Sequence, residues 1–220
     1  MKVYKFMSAK WAKEAILSKR LKISIIPTLN DPWEGNALSY THAEDKEAWK
    51  LKIDTISQTL GMICFSKEWT DPVLWSHYSE QHQGIALGFE LDSPLMTSVN
   101  YRKTLIKYDD IRGLDYAEET NFLIDAISTK YSSWAYEKEV RLFADLKNPD
   151  PKIGHFFNIF NTEMRLTDVI FGARYSNHEE RLFILASIKD YDDEVKSWKA
   201  ALGDKNFQMA RDQIWQFTTR

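Results

Sequence analysis

The sequence is poor in cysteine, glycine and proline, and it has no long apolar run. Its 220 residues include one Cys, 8 Gly and 6 Pro. The single cysteine, Cys64, excludes an intrachain disulfide and is typical of a reducing compartment. No apolar run approaches the ~20 residues that a transmembrane helix needs, and the first residues lack the apolar core of a signal peptide. We therefore expect a cytoplasmic protein with no membrane contact.

A strong excess of positive charge is also missing, since the net charge is −3. Proteins that bind duplex nucleic acid usually carry a basic excess or a basic stripe. The nearest approach is a group of basic residues between positions 10 and 22, and Glu14 interrupts it. That group is typical of a solvated helix face. Nucleic acid is therefore a disfavoured partner.

The common catalytic signatures are absent from the sequence. There is no phosphate-binding P-loop, no nucleophile elbow and no HExxH motif, which excludes most nucleotide hydrolases, serine hydrolases and zincins as first hypotheses. His77 and His82 would point about 140° apart on a helix. Because no cluster of His or Cys accompanies them, we expect no bound metal.

What is present is an ordinary globular composition, 44% hydrophobic and 28% charged. No repeat and no flexible linker divides the chain, so we predict a single domain over residues 1–220. Strands and helices do not alternate regularly enough for a doubly wound sheet. The predicted fold class is α+β, with a compact, mainly antiparallel sheet flanked by helices.

Hydrophobic periodicity predicts the individual elements. The predicted strands are 3–6, 21–26, 62–66, 85–90, 135–143, 169–171 and one within 207–217. The predicted helices are 8–19, 44–60, a helical turn within 71–82, 116–130, 177–188 and 193–202. Ser8 is the expected cap of the first helix. Gly61 is the expected stop of the second.

Two of these helices carry a predicted apolar face. For the helix at 8–19 the inward residues are Trp11, Ala15 and Ile16, and for the helix at 44–60 they are Ala48, Leu51, Ile56 and Leu60.

The stretch at 135–143 is the strongest candidate for chemistry. On a strand, Glu137, Glu139 and Arg141 share one face, because side chains alternate with a period of two. Two carboxylates on one face repel each other unless a positive charge lies near them. Arg141 could neutralise them as a structural ion pair, or a cationic substrate or transition state could do so.

Two further segments combine polar groups with rings. Trp75, His77, Tyr78 and His82 could stack on a ligand or hydrogen-bond to it. Alternatively, the rings could belong to the core, with His77 satisfied by a backbone carbonyl in a tight aromatic loop. In the loop that follows the second strand, Asn30 and Asp31 could contact a ligand or could simply build the turn.

Four ordered motifs resemble a bacterial family known as domain of unknown function 2971. They are LNDPWE at 29–34, ICFS at 63–66, LWSHYSEQHQGIALGFE at 74–90 and WAYEKEVRL at 134–142. The opening VYKF at 3–6 is also similar to that of the family. This resemblance implies a fold neighbourhood and no particular activity.

The layout also resembles ADP-ribosyltransferase-like domains. In those domains a residue of the first strand helps to seat NAD, a serine follows a central strand, and a late strand carries the catalytic glutamate. The resemblance implies that Tyr4 takes the first position, where Arg or His is usual, and that Ser66 takes the second. Glu137 and Glu139 would provide the catalytic carboxylates, with NAD as substrate.

Two functions follow as hypotheses. The first is NAD-dependent ADP-ribosyl transfer or NAD hydrolysis in a bacterial toxin or phage-defence setting. The second is a non-enzymatic module that senses a nucleotide or binds a protein. The oligomeric state stays open.

Overall fold

The computed structural model describes residues 1–215, which form five α-helices and fourteen strands. The helices are α1 (Ala9–Ser18), α2 (Ala43–Ile56), α3 (Pro72–Tyr78), α4 (Tyr116–Ile127) and α5 (His178–Tyr191). The first seven strands are β1 (Lys2–Met7), β2 (Arg20–Lys22), β3 (Leu38–Ser39), β4 (Leu60–Ser66), β5 (Ile85–Leu91), β6 (Met96–Ser98) and β7 (Asn100–Arg102). The others are β8 (Ile106–Lys107), β9 (Thr129–Tyr131), β10 (Glu139–Asp145), β11 (Phe157–Ile159), β12 (Met164–Phe171), β13 (Lys196–Leu202) and β14 (Met209–Arg211). Short 3₁₀ helices cover Ile26–Thr28, Tyr108–Ile111 and Ser132–Glu137.

The chain divides into two compact units. The first unit contains Met1–Leu21, Phe65–Pro94 and the chain from Ile159 onward, and the second contains Lys22–Cys64 and Leu95–Asn158. The expectation of one domain over residues 1–220 stays a prediction.

The first unit is built on a sheet with β5 at its centre. β5 pairs antiparallel with β1 on one side and with β12 on the other. β13 joins β12 in parallel, and β14 joins β13 antiparallel. Tyr4 of β1 also lies opposite Ser66 at the end of β4. Ile85, Leu87 and Phe89 of β5 are fully buried, and Ala86 and Gly88 on its other face are buried as well, the pattern of a strand that is covered on both faces.

Helices α1, α3 and α5 belong to the first unit, and α1 and α3 pack on its sheet. Ser8 caps α1 by accepting a hydrogen bond from the Trp11 N–H, as predicted. Ala12, Ala15 and Ile16 are the buried residues of α1. Trp11 is 56% exposed, so its predicted place on the inward face is wrong. Ala12 takes that place because it lies three and four positions from Ala15 and Ile16.

In the second unit the strand order is β4, β10, β6, and β10 runs antiparallel to β6. The second unit also contains two small parallel strand pairs, β3 with β8 and β7 with β9. The core of this unit is a cluster of apolar residues, namely Ile26, Leu38, Trp49, Ile53, Met62, Ile106, Ala126, Ile127 and Phe143.

These observations confirm the α+β class with a mainly antiparallel sheet and flanking helices. The predicted strands at 3–6, 62–66 and 85–90 and the helices at 8–19, 71–82, 116–130 and 177–188 are present with small changes in their bounds. The strand predicted at 169–171 begins earlier, at Met164. The strand predicted at 21–26 is only β2, followed by the 3₁₀ helix Ile26–Thr28.

The helix predicted at 44–60 is shorter than expected and turns a different face inward. α2 ends at Ile56, and Gly61 lies within β4. Leu51 is 68% exposed, whereas Trp49 and Ile53 are buried. The buried pair is four residues apart, so one face of the helix carries both anchors. Ala48 lies outside that face, and Leu60 begins a strand.

Two other predictions are wrong near the end of the chain and in β10. The expected helix at 193–202 is the strand β13, which pairs with β12 on one edge and with β14 on the other and buries Trp198 and Ala200. Sheet pairing here overrides the helix propensity of the alanines. The expected strand at 135–143 begins only at Glu139. Of the strand expected within 207–217, β14 covers Met209–Arg211, and positions 216 and 217 lie outside the described residues.

Gly172 permits a close approach of two backbone segments in the first unit. A Cβ at this position would lie 2.1 Å from the carbonyl oxygen of His82. We expect Gly172→Ala to force these segments apart and to lower the free energy of unfolding by about 1–3 kcal/mol, measured by chemical denaturation. Leu202→Ala, at a side chain 75% exposed, is the control and should change it by less than about 0.5 kcal/mol. Equal effects would contradict the packing argument.

Candidate functional site

A buried cluster of charged side chains lies in the second unit. Its members come from the loop after β2, from β9, from the 3₁₀ helix Ser132–Glu137 and from β10. They are Glu34, Lys130, Glu137, Glu139 and Arg141, and each of these side chains is at most 6% exposed. Charged residues are almost never this buried unless they are paired. We call this group the charge cluster.

Arg141 connects three parts of the unit. Its Nε donates to Glu139 Oε1 at 2.9 Å, and its Nη1 donates to the Ile127 carbonyl at 2.5 Å. Its Nη2 donates to a carboxylate oxygen of Glu34. The planar guanidinium can serve several acceptors at fixed angles, so one side chain holds the loop of Glu34 and the end of α4 to β10.

Lys130 contacts all three carboxylates of the charge cluster. Its Nζ lies 2.6 Å from Glu137 Oε2 and 3.4 Å from both Glu139 Oε2 and Glu34 Oε1. It also lies 4.8 Å from the ring centre of Trp134, a cation–π contact. An ammonium is a compact charge with three donors, which suits a position between several acids.

Electrostatics keep three members of the charge cluster ionised. Burial by itself would raise the pKa of Glu139, but the charges of Arg141 and Lys130 outweigh burial and hold this pKa at about 2. Burial by itself would lower the pKa of Lys130 and of Arg141, and the neighbouring carboxylates raise both above their ordinary values. Glu139, Lys130 and Arg141 are therefore all charged at neutral pH.

The local backbone explains how Glu137 and Glu139 come together. Lys138 between them has a left-handed backbone, with φ of 44°, where the 3₁₀ helix gives way to β10. The prediction that Glu137 shares a strand face with Glu139 and Arg141 is thus wrong for Glu137, and correct for the other two, whose side chains are bonded. The Glu139 N–H donates to the Tyr101 hydroxyl at 2.8 Å, and burial raises the pKa of that hydroxyl to about 12.

The loop that carries Glu34 also lines an open cleft of about 660 Å³ within the second unit. Rings and aliphatic groups form part of the lining, and charged groups of α2 form another part: Trp33, Tyr40, Leu105, Lys46, Glu47 and Lys50. Asp31 and Glu34 are buried, whereas Trp33 between them is 52% exposed. The volume falls within the range of 300–1,000 Å³ that is usual for small-molecule sites.

Hydrogen bonds fix the conformation of this loop. Asp31 Oδ1 accepts from the Trp33 N–H at 3.0 Å, so Asp31 builds the turn, one of the two roles predicted for it. The Trp49 indole donates to the Gly35 carbonyl at 2.7 Å. Asn30 is exposed, and the ligand contact predicted for it stays a prediction.

The other predicted site residues belong to the first unit. Tyr4 and Ser66 are direct cross-strand partners, so the structure brings these two together. Asp168 lies opposite Gly88 on the next strand pair, forms an ion pair with Lys2 and is 3% exposed. Burial, followed by the charge of Asp168, raises the pKa of Tyr4.

In the first unit, Trp75 of the predicted aromatic group is a core residue. This side chain is fully buried, its ring meets Phe6 edge-on at 5.1 Å, and its Nε1 donates to the Trp69 carbonyl at 2.6 Å. This observation favours the core role that the sequence left open. His77 is exposed, and its ring lies 6.1 Å from that of Tyr78.

His82 ends a run of three residues with left-handed φ, from 47° at Glu80 to 71° at His82. Such residues are uncommon and cost conformational energy. Burial and the charge of Arg174 lower the pKa of His82, so it is neutral at pH 7.

The structure therefore groups the predicted residues by unit. Asp31, Glu137, Glu139 and Arg141 lie in the second unit, with Asn30 beside them in the chain, and the others lie in the first: Tyr4, Ser66, Trp75, His77, Tyr78 and His82. The catalytic and ligand-binding roles predicted for these residues stay predictions.

Sequence reasoning missed Lys130, and it included Glu34 only as one carboxylate of the candidate loop that carries Asn30 and Asp31. A charge count offered a signal, because two glutamates beside a single arginine leave a negative charge that is costly to bury.

Comparison with known protein families gives a match over part of the chain. Residues 74–142 match the model of a family described as protein of unknown function (DUF2971), which confirms the resemblance found in the sequence. No curated protein and no solved structure matches the chain.

Two further properties hold for the described part of the chain. No three His, Cys, Asp or Glu side chains among residues 1–215 are placed to hold a metal ion. Over the same residues, no helix combines the length and apolarity required to cross a bilayer.

Removing one cation from the charge cluster should destabilise the protein strongly. We expect Arg141→Met to lower the free energy of unfolding by about 3–5 kcal/mol, because Glu34 and Glu139 would lose a buried partner. Urea denaturation measures the change. Lys147→Met is the matched control, since it removes a cation from an exposed pair with Asp145 and should cost less than about 1 kcal/mol. Similar losses in both variants would contradict the buried pairing.

The stability that Glu139 contributes should depend on pH in a defined window. Its pKa is lowered in the folded state, from 4.5 to about 2. The contribution is therefore complete above pH 4.5 and is lost as the pH falls toward 2. We expect the difference in unfolding free energy between the wild type and Glu139→Gln to shrink as urea denaturation is moved from pH 6 to pH 3. A difference that stays constant would show that Glu139 is not held ionised by its neighbours.

Proposed function

We propose that this chain is a non-enzymatic module that binds a small molecule in the cleft of the second unit, and that the charge cluster is the structural base of that cleft. The observation that carries the proposal is the state of Glu137 and Glu139. Both are 4–5% exposed, and both are bonded to cations of the chain itself. A carboxylate that already has such partners forms a structural ion pair, the alternative that the sequence left open.

The cleft supplies the second support. It belongs to the same unit as the charge cluster, and one loop connects the two, since Trp33 lines the cleft and Glu34 bonds to Arg141. Sites for small molecules are commonly formed before the ligand arrives. A loop fixed by buried ion pairs meets that requirement.

Ligand binding should raise the melting temperature of the protein. We expect a shift that grows with the concentration of at least one of NAD, ADP-ribose and nicotinamide, because a ligand that binds only the folded state stabilises it. Thermal denaturation of the full chain measures the shift.

The variant Glu139→Gln tests whether Glu139 supports the fold or contacts the ligand directly. This variant should melt at a lower temperature without ligand and should keep the ligand-induced increment, since Glu139 holds the fold and does not touch the ligand. The absence of a shift with all three compounds would contradict the proposal.

A second candidate function is NAD-dependent glycosyl transfer or NAD hydrolysis, and the observation that favours it is the fixed negative charge of Glu139. When the bond between nicotinamide and ribose breaks, nicotinamide leaves with the electron pair and positive charge develops on the ribose. The acceptor oxygen then bonds to that carbon and loses its proton. An ionised carboxylate on a strand could stabilise this charge as it develops. Consumption of NAD would suit a bacterial toxin or phage-defence protein.

Release of nicotinamide distinguishes the two functions. If the module does not catalyse, incubation of the full chain with NAD should yield no more nicotinamide than buffer does, as measured by chromatography. If Glu139 is catalytic, the wild type should release nicotinamide and Glu139→Gln, checked for folding by circular dichroism, should be about 10²–10³-fold slower. The single cysteine supports a cytoplasmic setting for either function.

A further inference from the structure

We infer that the cleft of the second unit is a site for nucleoside phosphates, in which Trp33 and Tyr40 hold the base and Lys46 and Lys50 hold the phosphate. The inference rests on the proposed small-molecule function and specifies the ligand class and the recognising residues. All four side chains line the same cleft.

Trp33 has the properties of a stacking residue. It is 52% exposed, although indole is a large apolar ring that chains usually keep in contact with other groups. Its backbone is fixed at the N–H by Asp31 and at the carbonyl by the N–H of Asn36, at 2.9 Å. Because little freedom is lost when an already ordered ring binds, the contact can contribute most of its stacking energy to affinity.

Tyr40 adds a second ring to the cleft and a hydroxyl donor. Burial raises the pKa of that hydroxyl to about 12, so it stays protonated at neutral pH and can donate to a ring nitrogen or a carbonyl of the base. The ring leans on Tyr108, with the two centres 5.6 Å apart. Tyr40 is therefore ordered on one side and open to the cleft on the other.

Lys46 and Lys50 provide the positive end of the cleft. They are four residues apart in α2, so their side chains leave the same helix face about 5–6 Å from each other. Both are exposed, and within residues 1–215 neither forms an ion pair. Two ammonium groups at this spacing can contact different oxygens of one phosphate or of a diphosphate, as point charges do in other phosphate sites.

Glu47 lies between the lysines in the sequence and also lines the cleft. Its charge would repel a ligand that consisted of phosphate alone. A nucleoside phosphate also carries ribose hydroxyls or an amino group, which can donate to this carboxylate. One carboxylate beside two ammonium groups thus favours a mixed ligand, with both donors and an anion, over inorganic phosphate.

Isothermal titration calorimetry of the full chain with ADP, AMP, adenosine and inorganic phosphate tests the inference. We expect ADP to bind more tightly than AMP, and AMP more tightly than adenosine, with inorganic phosphate weakest. Trp33→Ala should weaken ADP binding about tenfold or more. The double variant Lys46→Ala/Lys50→Ala should weaken ADP binding at least tenfold and adenosine binding less than twofold, since adenosine has no phosphate.

The chain offers matched controls for both variants. Trp11 is 56% exposed and lies on α1, so Trp11→Ala removes an equally exposed indole outside the cleft. Lys103 is exposed and does not line the cleft, so Lys103→Ala removes a charge of the same kind. Both controls should change ADP affinity less than twofold.

The outcomes separate this inference from the proposed function. If ADP binds the wild type and the cleft variants bind it equally well, ADP binds elsewhere, and both the ligand assignment and the placement of the proposed function in the cleft are wrong. If no nucleotide binds but nicotinamide stabilises the protein, only the ligand class is wrong and the proposed function stands. If no compound in either experiment binds, both are wrong.

Discussion

The guanidinium of Arg141 is the contact on which the second unit depends most. It is fully buried and joins the loop of Glu34, the carbonyl at the end of α4 and the strand β10 through Glu139. These segments are up to 107 positions apart in the chain. Apolar packing among them is non-directional, whereas the planar fork of an arginine accepts partners only at particular angles. Arg141 therefore fixes their relative position.

Burying five charges does not in itself make a protein stable. Removal of each ion from water is costly, and the attraction between ions repays that cost only when further hydrogen bonds satisfy the remaining oxygens and hydrogens. The charge cluster meets this condition except at Glu34 Oε1, which forms no hydrogen bond within the described residues and has the Lys130 ammonium at 3.4 Å. The other contacts come from Arg141 and Lys130, each of which donates to more than one acceptor. What the cluster provides is a single arrangement of the loop and strand, since a shift of either would leave buried charges without partners.

Local signals in the sequence were enough for much of the fold and for part of the site. The cap at Ser8 and the strand at 85–90 depend on neighbouring residues, so both could be predicted directly from the sequence. The helix expected at 193–202 failed because pairing of β13 on both edges is a contact between distant segments. Glu137 and Glu139 do lie together, as predicted, but not because they share a strand face. The left-handed backbone of Lys138 between them could not be predicted, because only glycine and, less often, asparagine or aspartate signal that conformation in a sequence. Lys130 was missed since its role depends on a fold that the local pattern does not encode.

The loop at 31–36 connects the buried ion pairs to the open cleft. Asp31 and Glu34 are buried, and Trp33 between them is half exposed, so the same short turn has an inner side made of carboxylates and an outer side made of a ring. The inner side cannot move without separating Glu34 from Arg141 and Lys130. The outer ring is consequently held in place without any contact from the ligand. A ring that is ordered in advance loses less entropy on binding than a mobile one. If the cleft binds a ligand as we propose, the charges at the base of the loop would therefore contribute to affinity without touching that ligand.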